Sequence, residues 1–229
     1  MRGYGQFCPV AKAAEIICER WTLLILRELV CGSCRFNEIR RGVPLISPTL
    51  LSQRLKQLER ECIIERCPED NGQGCEYRLT ERGQELKPLI ELAGTWGHRW
   101  ARSELEADEL DAGVLMWDMR RRLQPQHLPQ RPLTLQFHYP DARDGKRNWW
   151  VLVDAGQVDL CLTDPGQEPN LYVVAQLQAM TAVWMGDETL NGALSRETIR
   201  LFGPRELTRN MSIWLGLSIF ADVRPAPTG

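Results

Sequence analysis

The segment from Ser47 to Cys62, SPTLLSQRLKQLEREC, constrains this chain more than any other. Ser47 is a good helix N-cap, and Pro48 falls at the first helical position, where its missing N–H costs nothing. Leu51, Leu55, Leu58 and Cys62 recur at steps of four, three and four, with Leu50 widening the stripe. Thr49, Ser52, Gln53, Lys56 and Arg60 fall on the opposite side. The pattern predicts an amphipathic helix held by a leucine seam, displaying short hydrogen-bonding and basic side chains.

The flanking residues extend this into an ordered set. Pro9–Cys18 reads as a short helix with Val10, Ala13, Ala14 and Ile17 on one face, and Arg20–Cys31 as a second, closed by Gly32. Arg35–Arg41 is a third, broken by Gly42-Val43-Pro44. After the Ser47 helix come two β-favouring runs, 63–67 and 75–79, around a polar loop at 68–74, which is a hairpin pattern. Thr80 then caps a long helix reaching about Trp100, with Leu86, Leu89, Ile90, Ala93, Trp96 and Trp100 on its apolar face and Pro88 as a kink point.

Three helices, a hairpin and a helix is the order of a winged helix-turn-helix. The major groove of B-DNA admits one helix, and its base edges are read by hydrogen-bonding side chains near that helix's N-terminus. The candidate DNA-contacting residues are Arg35 and Asn37 on the third helix and Ser47, Pro48, Thr49, Ser52, Gln53, Arg54 and Lys56 on the recognition helix. Arg66 and Arg78 on the hairpin and Asn71 and Gln73 at its tip complete the set. The competing reading of the polar face is a solvated surface without a partner.

Charge divides the chain. Residues 1–102 hold 16 Lys and Arg against 13 Asp and Glu, and residues 103–229 hold 12 against 17. A mildly basic front and an acidic rear suggest two units with different partners. The expected domains are 1–102, a DNA-binding and dimerisation domain, a linker at 103–113, and 114–229. No apolar run approaches the ~18 residues of a membrane span, and MRGYGQFCPVAK has no signal-peptide core, so a cytoplasmic protein with no membrane partner is expected. No Gly-rich phosphate loop and no convincing partners for His98, His127 and His138 are present, so neither an enzyme nor a cofactor or metal is expected.

The front segment resembles the HxlR-type winged helix-turn-helix regulators. The matching stretches are CPVAKAAEIICERWTLLILREL, RFNEIRRGVPLISPTLLSQRLKQLE, EYRLTERGQEL and the Trp96-Gly97 pair. The resemblance implies a homodimer on a palindromic operator of double-stranded DNA, built mainly from the first helix and the helix around 80–100. This chain departs from the family pattern at Cys18-Glu19-Arg20, where a glycine-leaning turn is usual, and at Cys62, where glycine usually precedes the hairpin.

Seven of the eight cysteines lie in the first 75 residues. The resemblance implies that a Cys before a Pro near the N-terminus can sense oxidants or electrophiles, and Cys8-Pro9 matches that position. Cys31 and Cys34 have C-x-x-C spacing and are the other redox candidates; small buried residues, or a metal site with Cys62, Cys67 and Cys75, are the competing readings.

From Val114 the pattern changes to an α+β arrangement: a helix at 114–123, strands at 133–139, 148–154, 158–163, 170–174 and 198–202, and helices at 175–185, 188–193 and 204–220. The stretch VDLCLTDPGQEPNLYVVAQLQAMTAVWMGDETLNGALSRETIRLFGPRELTRNMSIWLGLS resembles the sterol-carrier-protein-2-like fold. That resemblance implies an apolar tunnel between a sheet and helices that holds a small apolar ligand. The residues expected near it are Trp149, Trp150, Leu160, Leu162, Tyr172, Leu177, Met180, Val183, Trp184, Leu201, Met211, Trp214 and Leu215; the competing reading makes them the domain's core. Together the chain reads as a dimeric, ligand-responsive transcriptional regulator. The alternatives are a thiol-based regulator using Cys8 and a lipid-binding carrier or scaffold without DNA binding.

Overall fold

A computed structural model describes residues 3–68, 74–101, 109–143, 145–224 and 226. The chain divides into two compact units, Met1–Gly94 and Thr95–Gly229.

The first unit contains α1 (Pro9–Ile17), α2 (Thr22–Val30), α3 (Phe36–Gly42), α4 (Pro48–Arg60), β1 (Ile64–Pro68), β2 (Cys75–Leu79), α5 (Glu81–Gln84) and most of α6 (Lys87–Trp96). β1 and β2 form an antiparallel hairpin with Arg66 opposite Tyr77 and Glu65 opposite Arg78. Ile25 and Leu26 of α2, Ile39 of α3 and Leu51, Leu55 and Leu58 of α4 are fully buried in one cluster with Ile63 and Ile64. Each such side chain contributes about 1.5–3 kcal/mol of burial, so the leucine seam of α4 is the main tether of that helix. Cys62 does not extend the seam. The helix ends at Arg60, and Cys62 is exposed with φ +54, a left-handed conformation that favours glycine.

The long helix expected from Thr80 to Trp100 is interrupted. α5 stops at Gln84, α6 restarts at Lys87, and Gly97–Ala101 winds as a π-helical turn. Pro88 explains the break, because it has no N–H to give to Gln84 and its ring crowds that carbonyl. The expected apolar face also splits: Ile90 is buried, while Leu89, Trp96 and Trp100 are exposed. The same holds for α1, where Ile17 is buried but Val10 is exposed.

In the second unit, α7 (Ala112–Arg122) precedes a sheet of β3 (Leu133–His138), β4 (Asn148–Asp154), β5 (Gln157–Cys161), β6 (Leu171–Ala175) and β7 (Ile199–Phe202). The strand order is β5-β4-β3-β6-β7, with β3 and β6 parallel and every other pair antiparallel. α8 (Leu177–Met185) and α9 (Leu190–Ser195) lie between β6 and β7, and α10 (Arg205–Thr208) and α11 (Met211–Trp214) follow. Leu135, Phe137, Trp149, Val151 and Val173 from the sheet and Met116, Met180, Val183, Met211 and Trp214 from the helices share one core.

Two expected elements of this unit shift. α7 starts at Ala112 because Asp111 caps it, its Oδ1 accepting from Gly113 N at 2.7 Å and Val114 N at 3.3 Å. The single terminal helix expected over 204–220 is instead two four-residue turns. The chain cannot continue as a helix past Leu215, because Gly216 adopts φ +65 and a Cβ there would lie 2.3 Å from the Arg122 carbonyl oxygen. No helix among the described residues is long and apolar enough to cross a membrane.

Candidate nucleic-acid interface

α4 has the start its sequence dictates: Ser47 Oγ accepts from Leu50 N at 3.2 Å, with Pro48 at the first helical position. The seam beneath turns Thr49, Gln53, Lys56 and Arg60 outward, all exposed, with Ser52 half-buried beside them. Ser47 and Pro48 are exposed at the helix start, where free N–H groups favour an anion.

Arg54 points elsewhere. Its Nη2 donates to Glu19 Oε2 at 2.7 Å, its Nε to the Arg20 carbonyl at 3.2 Å, and its Nη1 to Gln57 Oε1 at 3.0 Å. It clamps α4 to the turn between α1 and α2 and does not join the displayed face. Glu19 lies 35 residues away in sequence, so no local spacing signals this partner.

The other expected contacts surround α4 with their own partners. Arg35 opens α3, where Glu38 Oε2 accepts from the backbone N–H of Cys34 and Arg35, and Asn37 is exposed. Arg35 also bridges to Glu76 of the hairpin. Arg78 donates to Glu76 Oε2 at 2.8 Å, and this bond holds the Glu76 carboxyl below the usual carboxylate range. Arg66 Nε donates to Cys75 Sγ. Both hairpin arginines remain exposed. Asn71 and Gln73 lie outside the described residues.

The three thiols singled out from sequence differ. Cys8 is the N-cap residue of α1 and half-buried, and Cys31 is exposed at the end of α2. Cys34 is half-buried; burial and the Glu38 and Glu76 carboxylates push its thiol up to about 11. Such a group holds little nucleophilic thiolate at neutral pH. Among the described residues, no group of three or more His, Cys, Asp and Glu side chains converges as a metal site.

In the second unit, Trp149, Leu177, Met180, Val183, Trp184, Met211, Trp214 and Leu215 are buried in the common core, with Leu160 and Leu201 packed against it. The remaining three sit elsewhere. Alternation along β4 and β6 puts Trp150 and Tyr172 on the other face of the sheet from Trp149 and Val173, and Tyr172 rests between His138 and Phe202. Leu162 follows the end of β5 and is exposed.

The fold of the first unit and its displayed helix can be set beside known proteins. Residues 16–105 match the family model described as HxlR-like helix-turn-helix. The HTH-type transcriptional regulator YvaP of Bacillus subtilis is 39% identical over 99 residues, an alignment that takes in 42% of this chain and 91% of YvaP. This chain belongs to the HxlR-like helix-turn-helix family. Another relative, the HTH-type transcriptional regulator YodB of the same organism, is 35% identical over 96 residues, 41% of this chain and 85% of YodB. Among solved structures, the redox regulator HypR in its oxidized form is 30% identical and covers 43% of this chain and 100% of its own, with a TM-score of 0.39. As an HxlR-type transcriptional regulator, the chain carries its helix-turn-helix in the first unit, and the α+β unit follows it.

Proposed function

We propose that this regulator binds palindromic double-stranded DNA as a homodimer, with α4 read into the major groove of each half-site. One observation carries the reading: α4 buries Leu51, Leu55 and Leu58 while leaving Thr49, Gln53 and Lys56 exposed on the opposite side. Those residue types match groove chemistry, with amide and hydroxyl groups for base edges and an ammonium for phosphate. The homodimer is supported by exposed apolar side chains of the first unit, Leu89 and Leu92 of α6 and Val10 of α1. Exposed large apolar side chains gathered on one unit mark interaction surfaces. Selection of duplexes from a random library, followed by footprinting, tests this. Two inverted half-sites about 34–36 Å apart are expected; protection of a single half-site by a monomer would refute the dimer.

The second unit is proposed to bind a small apolar ligand in the manner of the sterol-carrier-protein-2-like fold, and so to bias the spacing of the two recognition helices. Its support is a helical layer packed against one face of a mixed sheet, and a core that holds Met116, Met180 and Met211 together with Trp184 and Trp214. Thioethers repack around varied shapes at low cost. Mass spectrometry of the native protein tests it: a co-purifying apolar molecule is expected, and an empty protein that takes up no fatty acid or sterol rules it out. A thiol-based switch at Cys8 is the second reading, favoured by the place of that side chain at the N-cap of α1. It requires that Cys8→Ser abolish any effect of peroxide or quinone on DNA binding.

A further inference from the structure

The turn that feeds α4 carries an apolar side chain that the core of the first unit does not use. Ile46 N donates to the Val43 carbonyl at 3.2 Å, closing a tight turn with Pro44 and Leu45 at its two corners. Proline at the first corner presets its own φ, which stiffens the turn. Both ends are anchored, since Val43 and Ile46 are each only 2% exposed within the core. The next residue, Ser47, is fixed as the cap of α4 by its bond to Leu50 N. Between these fixed points Leu45 is 83% exposed.

A single exposed leucine is ordinary on a protein surface. The place of this one is what matters. It precedes the cap by two residues, at the end of α4 where exposed Pro48 and Thr49 begin the displayed face. A recognition helix contacts base edges with residues at that end. The apolar group that B-DNA presents in its major groove is the C5-methyl of thymine. An isobutyl group held in water at the mouth of the groove is complementary to that methyl: both leave water on contact, and the backbone that carries the side chain is already ordered.

We infer that Leu45 is a base-specificity residue, whose side chain packs on a thymine methyl at one position of each half-site. The inference rests on the DNA-binding reading of α4. It adds an apolar contact to the hydrogen-bonding chemistry of Thr49, Ser52 and Gln53, and it makes that position of the operator a thymine.

A cycle between the side chain and the methyl tests it, with the full chain and a selected operator followed by fluorescence anisotropy. The probes are duplexes in which deoxyuridine replaces each thymidine in turn, which removes one methyl and leaves base pairing intact. At one position per half-site the wild type should lose about fourfold in affinity, the worth of one methyl-sized group withdrawn from water. Leu45→Ala should bind the thymine operator about fourfold or more weakly and should not distinguish uracil at that position. Leu45→Met should keep the distinction. The urea midpoint of Leu45→Ala should equal that of wild type, because the side chain it truncates is solvated.

Wild-type affinity in Leu45→Ala overturns the inference. So does a loss that leaves the response to uracil unchanged at every position, which marks a contact with the sugar-phosphate backbone only. A lowered urea midpoint overturns it as well, because the side chain then serves the fold. If Gln53→Ala or Lys56→Ala weakens binding while Leu45→Ala does not, α4 still reads DNA and the role of Leu45 alone fails. If the full chain binds no duplex, the reading of α4 fails and the role of Leu45 with it.

Discussion

Gly42 ends α3 directly against the buried carboxylate of Glu28. Glu28 belongs to α2 and is fully buried; its Oε1 accepts from Arg27 Nη2 at 2.8 Å and its Oε2 from Ser33 Oγ at 2.9 Å. The same Arg27 Nη2 donates to the Gly42 carbonyl at 2.8 Å, closing α2, the following turn and α3 into one network. A Cβ on Gly42 would lie 1.9 Å from the Glu28 carboxyl carbon and 2.2 Å from both oxygens. In an open helix Gly→Ala would stabilise by about 0.5–1 kcal/mol. Here alanine must evict a buried carboxylate from its partners, a change that costs about 3–5 kcal/mol. Gly42→Ala should therefore destabilise the first unit by several kcal/mol, read as faster native-state hydrogen exchange at the amides of α2 and α3. In a Glu28→Ala background the same substitution meets no carboxylate, so its cost should largely vanish; that difference is the coupling energy of a double-mutant cycle. A Gly42→Ala protein within about 1 kcal/mol of wild type, or equal costs in both backgrounds, would contradict a clash between residue 42 and the Glu28 carboxylate.

Other consequences are equally checkable. Arg54→Ala should lower stability by about 1–2 kcal/mol through loss of hydrogen bonds to a charged group, and Arg54→Lys should recover little because the three-way fork is lost; urea midpoints at unchanged m-value read this. Asp111 in the second unit has its carboxyl held below its usual value. Burial alone would raise it, but Lys146 and the capped N–H groups of Gly113 and Val114 outweigh that. Its stabilisation is complete above the unfolded value of about 3.9 and is lost as pH falls through the lower folded value. Lys146→Met raises that folded value, so acid unfolding of the second unit should begin at higher pH by circular dichroism. Gly186→Ala should destabilise the same unit, since φ is +84 and a Cβ would lie 2.4 Å from the Ala221 carbonyl oxygen; no change in its melting temperature would contradict the packing. Cys34, its thiol held up at about 11, should react with iodoacetamide at pH 8 more slowly than exposed Cys31, as peptide mass spectrometry will show.

The helix α4 was legible because its signals are local. A cap, a proline at the first position and leucines at helical spacing all act within one element, and α4 runs from Pro48 to Arg60 as they require. The hairpin was legible for the same reason. What stayed hidden depends on contacts distant in sequence. Arg54 looks like a groove-facing residue in its own helix, and only the placement of Glu19 turns it inward. The apolar residues of α1 and α6 show a helical stripe, but periodicity cannot separate a core face from a face left bare, as with Leu89 and Trp96. In the second unit, alternation along a strand specifies two faces without saying which one the helices cover. Trp149 and Trp150 therefore read alike and part company in the fold. The terminal segment stops as a helix at Leu215 because Gly216 takes φ +65 in close approach to Arg122, 94 residues away by number, which no window of neighbouring residues contains.

The displayed face of α4 is tested most directly by the affinity of the full chain for a selected operator across a salt series. Fluorescence anisotropy should show that Gln53→Ala weakens binding by about 1–3 kcal/mol and relaxes base preference at one position of each half-site. Lys56→Ala should lower affinity evenly across sequences and reduce the salt slope by about one unit for each ammonium removed from a phosphate. Unchanged affinity, base preference and salt slope in the folded double variant would contradict the assignment of α4 as the helix that reads DNA.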